Sequence, residues 1–415
     1  MIGLVDGNNF FVSCERVFNR RLVGKPVAVL SNNDGCCVSR SNEFKALGIP
    51  MGTPYFQLRE RERTGELMFC SSNYELYGDI SRRIISILRE ETLEVEQYSI
   101  DEAFIHPPQG GEINLMEYGT RLRAKILRWV GIPCGIGFAP TKTLAKIANH
   151  LAKKQPEGVF ILPDDPTPVL ATLPAEEVWG VGRRLSAKLH THGIHTAEQL
   201  RNAPKERIRS VGGITLLRTV EELRGIPCTE EWEYVADPDS VSCSRSFGTP
   251  VTTREGIAES LASFITEAAA KLRRHGMLAA GCNIYAQTFQ SGGGGEFIER
   301  TVVFHAPTDA TNEMLTAVSP NLDALFVPGF RYRKTGVVFF GLEKVGTARQ
   351  LDLFTASAPS EASPLFQAID KINARYGRNR VFSASLGIGE ASWKMKREKL
   401  SKRSTTRWDE LITVR

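Results

Sequence analysis

The 415-residue chain lacks any apolar run long enough to cross a bilayer, so no transmembrane helix is expected. It also lacks a Cys-x-x-Cys pair. The eight cysteines, Cys14, Cys36, Cys37, Cys70, Cys134, Cys228, Cys243 and Cys282, share no repeated spacing, which argues against a zinc site or disulfide framework and for reduced thiols. Met1-Ile2-Gly3-Leu4-Val5-Asp6 has no basic segment before its apolar run and meets an acid at once, so no secretory signal is expected and a reducing cytoplasm fits. Charge of one sign is not abundant: 52 Lys and Arg face 47 Asp and Glu, an excess that points to a polyanionic partner only where it is concentrated. No P-loop occurs, because the glycines Gly292 to Gly295 read as a hairpin loop between two strands. His190, His192 and His195 lie close together, yet no cysteine or carboxylate nearby completes a metal-ligand set.

What the chain does have is a dense acidic turn, Tyr98-Ser99-Ile100-Asp101-Glu102-Ala103, between two strand-patterned runs. Adjacent carboxylates at a strand end each resist ionising beside the other, and a divalent cation is the obvious group to hold them. Exposed hairpin bends are often acidic for no functional reason, so the rest of the chain must decide.

In chain order, Ile2 to Val5 reads as a strand ending at Asp6, followed by a helix capped by Asn8 or Asn9 with Phe11, Cys14 and Phe18 near one face. Pro26 to Leu30 is a second strand, and Tyr74 to Arg89 a helix with Leu76, Ile80, Ile84 and Ile87 in a stripe. After the acidic hairpin come a helix over Asn114 to Val130, a buried strand at Cys134 to Phe138 whose glycines allow close backbone approach, and a helix capped by Thr141. That helix turns Leu144, Ile147, Ala148 and Leu151 inward and Lys142, Lys146, Lys153 and Lys154 elsewhere. With the segment after the first helix treated as an insertion, the order is βαββαβ, the ferredoxin-like arrangement, which makes Asp6 a neighbour of Asp101 and Glu102.

Turn residues at Pro163-Asp164-Asp165-Pro166 mark a boundary. The segment beyond, from Leu173 through Gly180-Val181-Gly182 and Arg183 to Gly193, has a helix-hairpin-helix pattern whose turn exposes backbone amides suited to a nucleic-acid phosphate. From about Ser240 another α+β domain follows: a strand at Val241 to Phe247 carrying Arg245, a helix over Ile257 to Arg274, strands at Gly281 to Phe289, Phe297 to Phe304 and Lys334 to Leu342, and a helix near Asn312 to Leu325. Arg331, Arg333 and Lys334 are expected along its surface. Gln350-Leu351-Asp352-Leu353-Phe354 is an isolated apolar peptide beside a linker-like stretch, either an anchor for a partner or a capping strand. The end is basic from Lys394 to Arg407, either a solvated face or a surface for nucleic acid or an acidic partner.

Together and in this order, the pieces resemble one family, the Y-family translesion DNA polymerases, in the branch of the bacterial mutagenic polymerase. The resemblance rests on Asp6, Asn8 and Phe10-Phe11; Lys25-Pro26-Val27; Ser31 to Cys36; Ser72-Asn73-Tyr74-Glu75-Leu76-Tyr77; Tyr98 to Ala103; Thr141 to Lys146; and Gln350 to Phe354. It implies an α+β multidomain fold: a ferredoxin-like palm over 1–165 with small fingers at about 25–78, a helix-hairpin-helix thumb over 166–235, an α+β little finger over 240–345, and a clamp peptide with a basic tail over 346–415. It implies error-prone, template-directed synthesis from deoxynucleotides on primer-template DNA. Asp6, Asp101 and Glu102 would bind two Mg²⁺ ions with the Gly7 carbonyl, and Lys153 would hold the triphosphate beside Phe10 and Lys45. Phe11 would be the steric gate against a 2′-hydroxyl, and Gly180, Gly182, Arg183 and Arg245 would meet DNA. Asn42 and Lys45 stand where several members carry Tyr and Arg near the triphosphate, a departure that leaves those contacts open. Gln350, Leu351, Leu353 and Phe354 would bind the sliding clamp. A RecA filament, a processed accessory dimer of the UmuD′ type and a nucleoid-associated cytoplasmic location are further implications. No segment resembles a proofreading exonuclease. A palm-fold nucleotidyl cyclase shares strand-end acids and metals but has no use for a helix-hairpin-helix. A non-enzymatic recruiter at stalled forks would bind DNA with no need of the acids.

Overall fold

The computed structural model describes residues 1–92, 94–108, 113–228, 237–289, 295–346, 363–377, 379–387 and 393–411. Its chain divides into two compact units, one of Met1–Ser31, Gly35–Tyr234 and Lys399–Arg415, the other of Asn32–Asp34 and Val235–Glu398.

The first unit is built on a five-stranded sheet ordered β5-β6-β1-β7-β8. Strand β1 (Ile2–Gly7) leads into helix α1 (Phe10–Phe18), whose entry residue Asn9 takes a left-handed conformation, φ 48°, and offers no side-chain cap. Its amide instead donates to Asn42, 2.9 Å away. An inserted three-stranded sheet of β2 (Val27–Leu30), β3 (Cys37–Arg40) and, after the short helices α2 (Asn42–Ala46) and α3 (Arg59–Arg63), β4 (Met68–Ser71) has its own apolar cluster around Leu30, Phe44 and Leu67. Helix α4 (Tyr74–Glu91), β5 (Val95–Gln97), β6 (Glu102–Ile105), α5 (Leu115–Val130) and β7 (Cys134–Ala139) then complete βαββαβ around β1.

Helix α6 (Lys142–Ala152) starts on Thr141, whose hydroxyl accepts the Leu144 N–H as a cap should. It lies so close to β7 that a Cβ on Gly137 would come within 2.1 Å of the Asn149 nitrogen, and only glycine fits there. A strand absent from the sequence reading, β8 (Val159–Ile161), adds a parallel edge beside β7. Lys142 corrects a second expectation: it is 2 % exposed and paired with Glu96 at 2.6 Å. Beyond come α7 (Thr167–Thr172), a 3-10 turn at Ala175–Glu177, α8 (Arg183–Thr191), α9 (Ala197–Asn202) and α10 (Lys205–Leu223). The element before the Gly180–Gly182 turn is thus a single short turn, where the sequence suggested a full helix.

The second unit packs α11 (Arg254–Arg274) on an antiparallel sheet ordered β11-β10-β12-β9. Its strands are β9 (Val241–Val251), β10 (Met277–Thr288), β11 (Phe297–Thr308) and β12 (Tyr332–Lys344). Helix α12 (Thr311–Val318) is shorter than expected: Pro320 has no N–H to continue the helical ladder, and the chain tightens into a 3-10 turn at Ser319–Asn321. A helix not read from the sequence, α13 (Ser363–Tyr376), is tied to α11 by Arg273 and Asp370 at 2.7 Å. The eight cysteines carry no disulfide. Among the described residues no helix is long and apolar enough to cross a membrane.

Candidate active site

Antiparallel pairing of β1 with β6 sets Asp6 directly opposite Glu102, so their side chains share a face of the sheet. One residue on, the Gly7 N–H donates to the Asp101 carbonyl at 2.9 Å. Ser99 closes the bend between β5 and β6: its hydroxyl accepts the N–H groups of Asp101, 3.2 Å, and Glu102, 3.0 Å, and donates to Asp101 Oδ1 at 2.6 Å. The acidic turn and the end of β1 therefore form one charged sheet end.

The charge there is poorly solvated. Burial raises the Asp6 carboxyl from 3.8 to about 6, against the pull of Lys153, and the charges of Glu102 and Asp101 push it further the same way. Lys153 Nζ sits 2.5 Å from Asp6 Oδ2. Lys146 Nζ lies 2.9 and 3.1 Å from the two Glu102 oxygens, 4.4 Å from the centre of the Tyr98 ring and 5.2 Å from that of Trp179. Desolvation, then Arg40 and Lys153, lower the pKa of Lys45, while Asp6 raises it. Among the described residues no three His, Cys, Asp or Glu side chains form a ready metal cage. Two of the three carboxylates are instead held by lysines. The donor set still suits a hard divalent cation, since it consists of carboxylates at a strand end where a single ammonium leaves Asp6 undercompensated.

Of the aromatic pair expected at the nucleotide, Phe10 is 2 % exposed and belongs to the core beneath Gly7. Phe11 is half-buried; its ring stacks on Tyr77 at 4.6 Å and 14° and meets Tyr74 edge-on at 5.9 Å. At the helical turn of the first unit, Gly180 has φ 86°, a conformation that favours glycine, and Gly182 and Arg183 are exposed at the start of α8. Arg245 is engaged with Glu267 at 2.8 Å. His190 and His195 are ring neighbours at 4.8 Å, and among the described residues they belong to no cluster of three or more His, Cys, Asp or Glu side chains. Gln350, Leu351, Leu353 and Phe354 lie outside the described residues.

Sequence reading quoted Ser99, Lys146 and Tyr77 within motifs without giving them a role, and missed Glu15 altogether. Lys146 is one helical turn from Lys142 and Lys153 two turns further on, a spacing that marks a cationic stripe facing the acids. Glu15, the acid on the otherwise apolar face of α1, is 2 % exposed and was the clearest available signal of a buried polar network.

The fold is that of a Y-family DNA polymerase. The structure matches a Y-family DNA polymerase chimera of Dbh and Dpo4 with a TM-score of 0.64 at 20% identity, over 83% of this chain and 100% of that one. It matches an insertion ternary complex of Dbh DNA polymerase with a TM-score of 0.54 at 20% identity, over 82% of this chain and 98% of that one. Residues 5–150 match the impB/mucB/samB family, 238–353 that family's C-terminal domain, and 363–414 a domain of unknown function, DUF4113. Over 424 aligned residues the chain is 40% identical to protein UmuC of Salmonella typhimurium, with all of both chains covered. The chain belongs to the impB/mucB/samB family. It is an error-prone DNA polymerase of the translesion class, whose nucleotidyl transfer generally needs divalent metal.

Proposed function

We propose that the sheet end at Asp6, Asp101 and Glu102 is the polymerase centre and takes two Mg²⁺ ions, with the Gly7 carbonyl as a further ligand. The observation that supports this reading is the register of β1 and β6, which sets Asp6 opposite Glu102 and bonds the Gly7 N–H to the Asp101 carbonyl, gathering three acids at one partly buried sheet end. Bound metal would lower the pKa of the primer 3′-hydroxyl and neutralise charge developing on the α-phosphate. The residues of the chain do the positioning. Lys153, now on Asp6, releases its carboxylate and turns its ammonium to the triphosphate, and Lys45 beside it adds a second point charge. Phe11 presents its ring under the sugar and excludes a 2′-hydroxyl by shape, since a phenyl ring has no hydroxyl with which to bond it. Ser99 holds the acidic bend in place through both substrate states.

The substrates of this reading are primer-template DNA and deoxynucleoside triphosphates. The first unit then supplies palm, fingers and thumb and the second the little finger, with Gly180, Gly182 and Arg183 on backbone phosphates and Arg245 on the duplex. Gln350 to Phe354 is proposed as a sliding-clamp peptide, and a RecA filament and an accessory dimer as partners in a nucleoid-associated, cytoplasmic setting. Primer extension with Mg²⁺ tests the centre: Asp101→Ala and Glu102→Ala should each abolish extension while leaving the chain folded, and full activity in either would remove the assignment.

A further inference from the structure

After the second unit, the chain returns to the first, where residues 399–411 lie within the segment matched by the domain of unknown function. The return is specific. Lys399 exchanges two backbone-level bonds with the end of β4, its N–H donating to Ser71 Oγ at 2.9 Å and its carbonyl accepting from Ser71 N–H at 3.0 Å. Its ammonium reaches Glu62 at 2.7 Å. Two residues on, the Ser401 hydroxyl accepts from the Asn73 side-chain amide at 2.9 Å and lies 3.0 Å from the buried Glu15, to which it donates. Asn73 is the N-cap of α4, accepting the Leu76 N–H. Arg403 fixes the far side through Glu410, 2.9 Å from its Nε.

Glu15 links this segment to the nucleotide side. It lies one helical turn after Phe11 on α1, and the Tyr77 hydroxyl donates to the same Glu15 oxygen, 2.6 Å away. The Tyr77 ring is the one stacked under Phe11. A continuous chain of contacts thus runs from Ser401 through Glu15 and Tyr77 to the Phe11 ring, and Asn73 ties the same serine to the helix that carries Tyr74 and Tyr77. A buried carboxylate deprived of one hydroxyl partner must move or take in water, and the phenol bonded to it moves with it.

We propose that residues 399–403 form an intramolecular strap that positions Phe11 and so sets the discrimination between deoxy- and ribonucleotides, with Ser401 and Glu15 as positioning residues. The proposal rests on the assignment of Phe11 as the sugar gate. A ring that excludes a single hydroxyl by shape depends on sub-ångström placement, and the strap locks its support from behind.

The test is single-nucleotide insertion by the full chain, comparing kcat/KM for a deoxynucleotide and its ribonucleotide counterpart. Ser401→Ala should lower the selectivity ratio about tenfold, mostly by admitting ribonucleotide, while Ser401→Thr, which keeps the hydroxyl, holds it within about twofold of wild type. In a Phe11→Ala background, Ser401→Ala should change the ratio no further. Tyr77→Phe keeps the ring and removes only its hydroxyl, and should repeat the loss if Ser401→Ala does not fold. If Phe11→Ala collapses selectivity while Ser401→Ala and Tyr77→Phe preserve it, or reduce both nucleotides in proportion, the strap is overturned and the gate stands. If Phe11→Ala leaves selectivity intact, gate and strap fall together.

Discussion

The two large sheets solve the same packing problem and treat charge in opposite ways. In the second unit, the inner face of β10 and β12 presents Cys282, Ile284, Ala286, Val337 and Phe339 to Leu261, Phe264, Ile265 and Leu272 of α11; charged groups on its strands, such as Arg245 beside Glu267, stay near the surface, and the buried Arg273 of α11 is paired with Asp370 of α13. The first unit has an equally apolar centre in Val5, Ile105, Ile136 and Phe138. Yet it keeps Asp6, Glu102, Lys146 and Lys153 crowded at one sheet end and buries Glu15 beneath Tyr77. Replacing such groups by apolar residues would cost the fold little and often strengthen it. Their presence teaches that the first sheet is shaped by what must bind at its end, whereas the second is shaped by apolar packing, with its buried ion pair joining one helix to another.

The sharpest way to break that contrast is to remove charge from the first sheet and bulk from the second. Asp101→Ala or Glu102→Ala should reduce primer extension about a thousandfold or more with an almost unchanged denaturation midpoint. Phe339→Ala, fully buried in β12, should do the reverse, destabilising the second unit by about 3 to 5 kcal/mol in denaturant unfolding. If the acid variants unfold the chain or the core variant is tolerated at under about 1 kcal/mol, the division of labour fails.

The reading of the sequence reached the first sheet because its strands and helices carry clean periodicities: the stripe of α4, the Thr141 cap and the glycines of β7 each report local geometry. The pairing of Asp6 with the acidic turn followed from topology, without any distance. Three features stayed hidden for physical reasons. Strand β8 is three residues long, too short to show alternation. Lys142 breaks the rule that lysines face water because Glu96 and the Phe104 ring, 5.6 Å away, receive its ammonium from other elements. The contact of Ser401 with Glu15 spans 386 positions, and no local pattern reports a bond between groups so far apart in the chain.

A finer probe of the same contrast is pH. Because the Asp6 carboxyl titrates near 6 in the fold and near 3.8 when unfolded, the folded chain holds its proton more tightly across that window. Stability contributed by the protonated form is therefore present at low pH and lost as pH rises to about 6, by about 3 kcal/mol in metal-free buffer. Asp6→Asn, which cannot ionise, should lack this slope, so the variant gains on wild type between the two values in denaturant titrations at each pH. Mg²⁺ should recover part of the loss for wild type at neutral pH and none for Asp6→Asn. A parallel pH dependence in both proteins would mean that Asp6 carries no such strain.

The smallest effect separates a structural ion pair from a nucleic-acid contact in the second unit. Arg245 and Glu267 are each about a third exposed, so their pairing at 2.8 Å is screened and worth under about 1 kcal/mol. Arg245→Ala should accordingly shift the denaturation midpoint very little. If the side chain exchanges Glu267 for a phosphate when duplex binds, the same substitution should flatten the slope of log K against log salt by about one. Glu267→Gln should then strengthen DNA binding slightly, because the competing carboxylate is gone and the guanidinium remains. An unchanged salt slope in Arg245→Ala, with weaker unfolding resistance, would make Arg245 a partner of Glu267 alone and leave its charge with a structural role only.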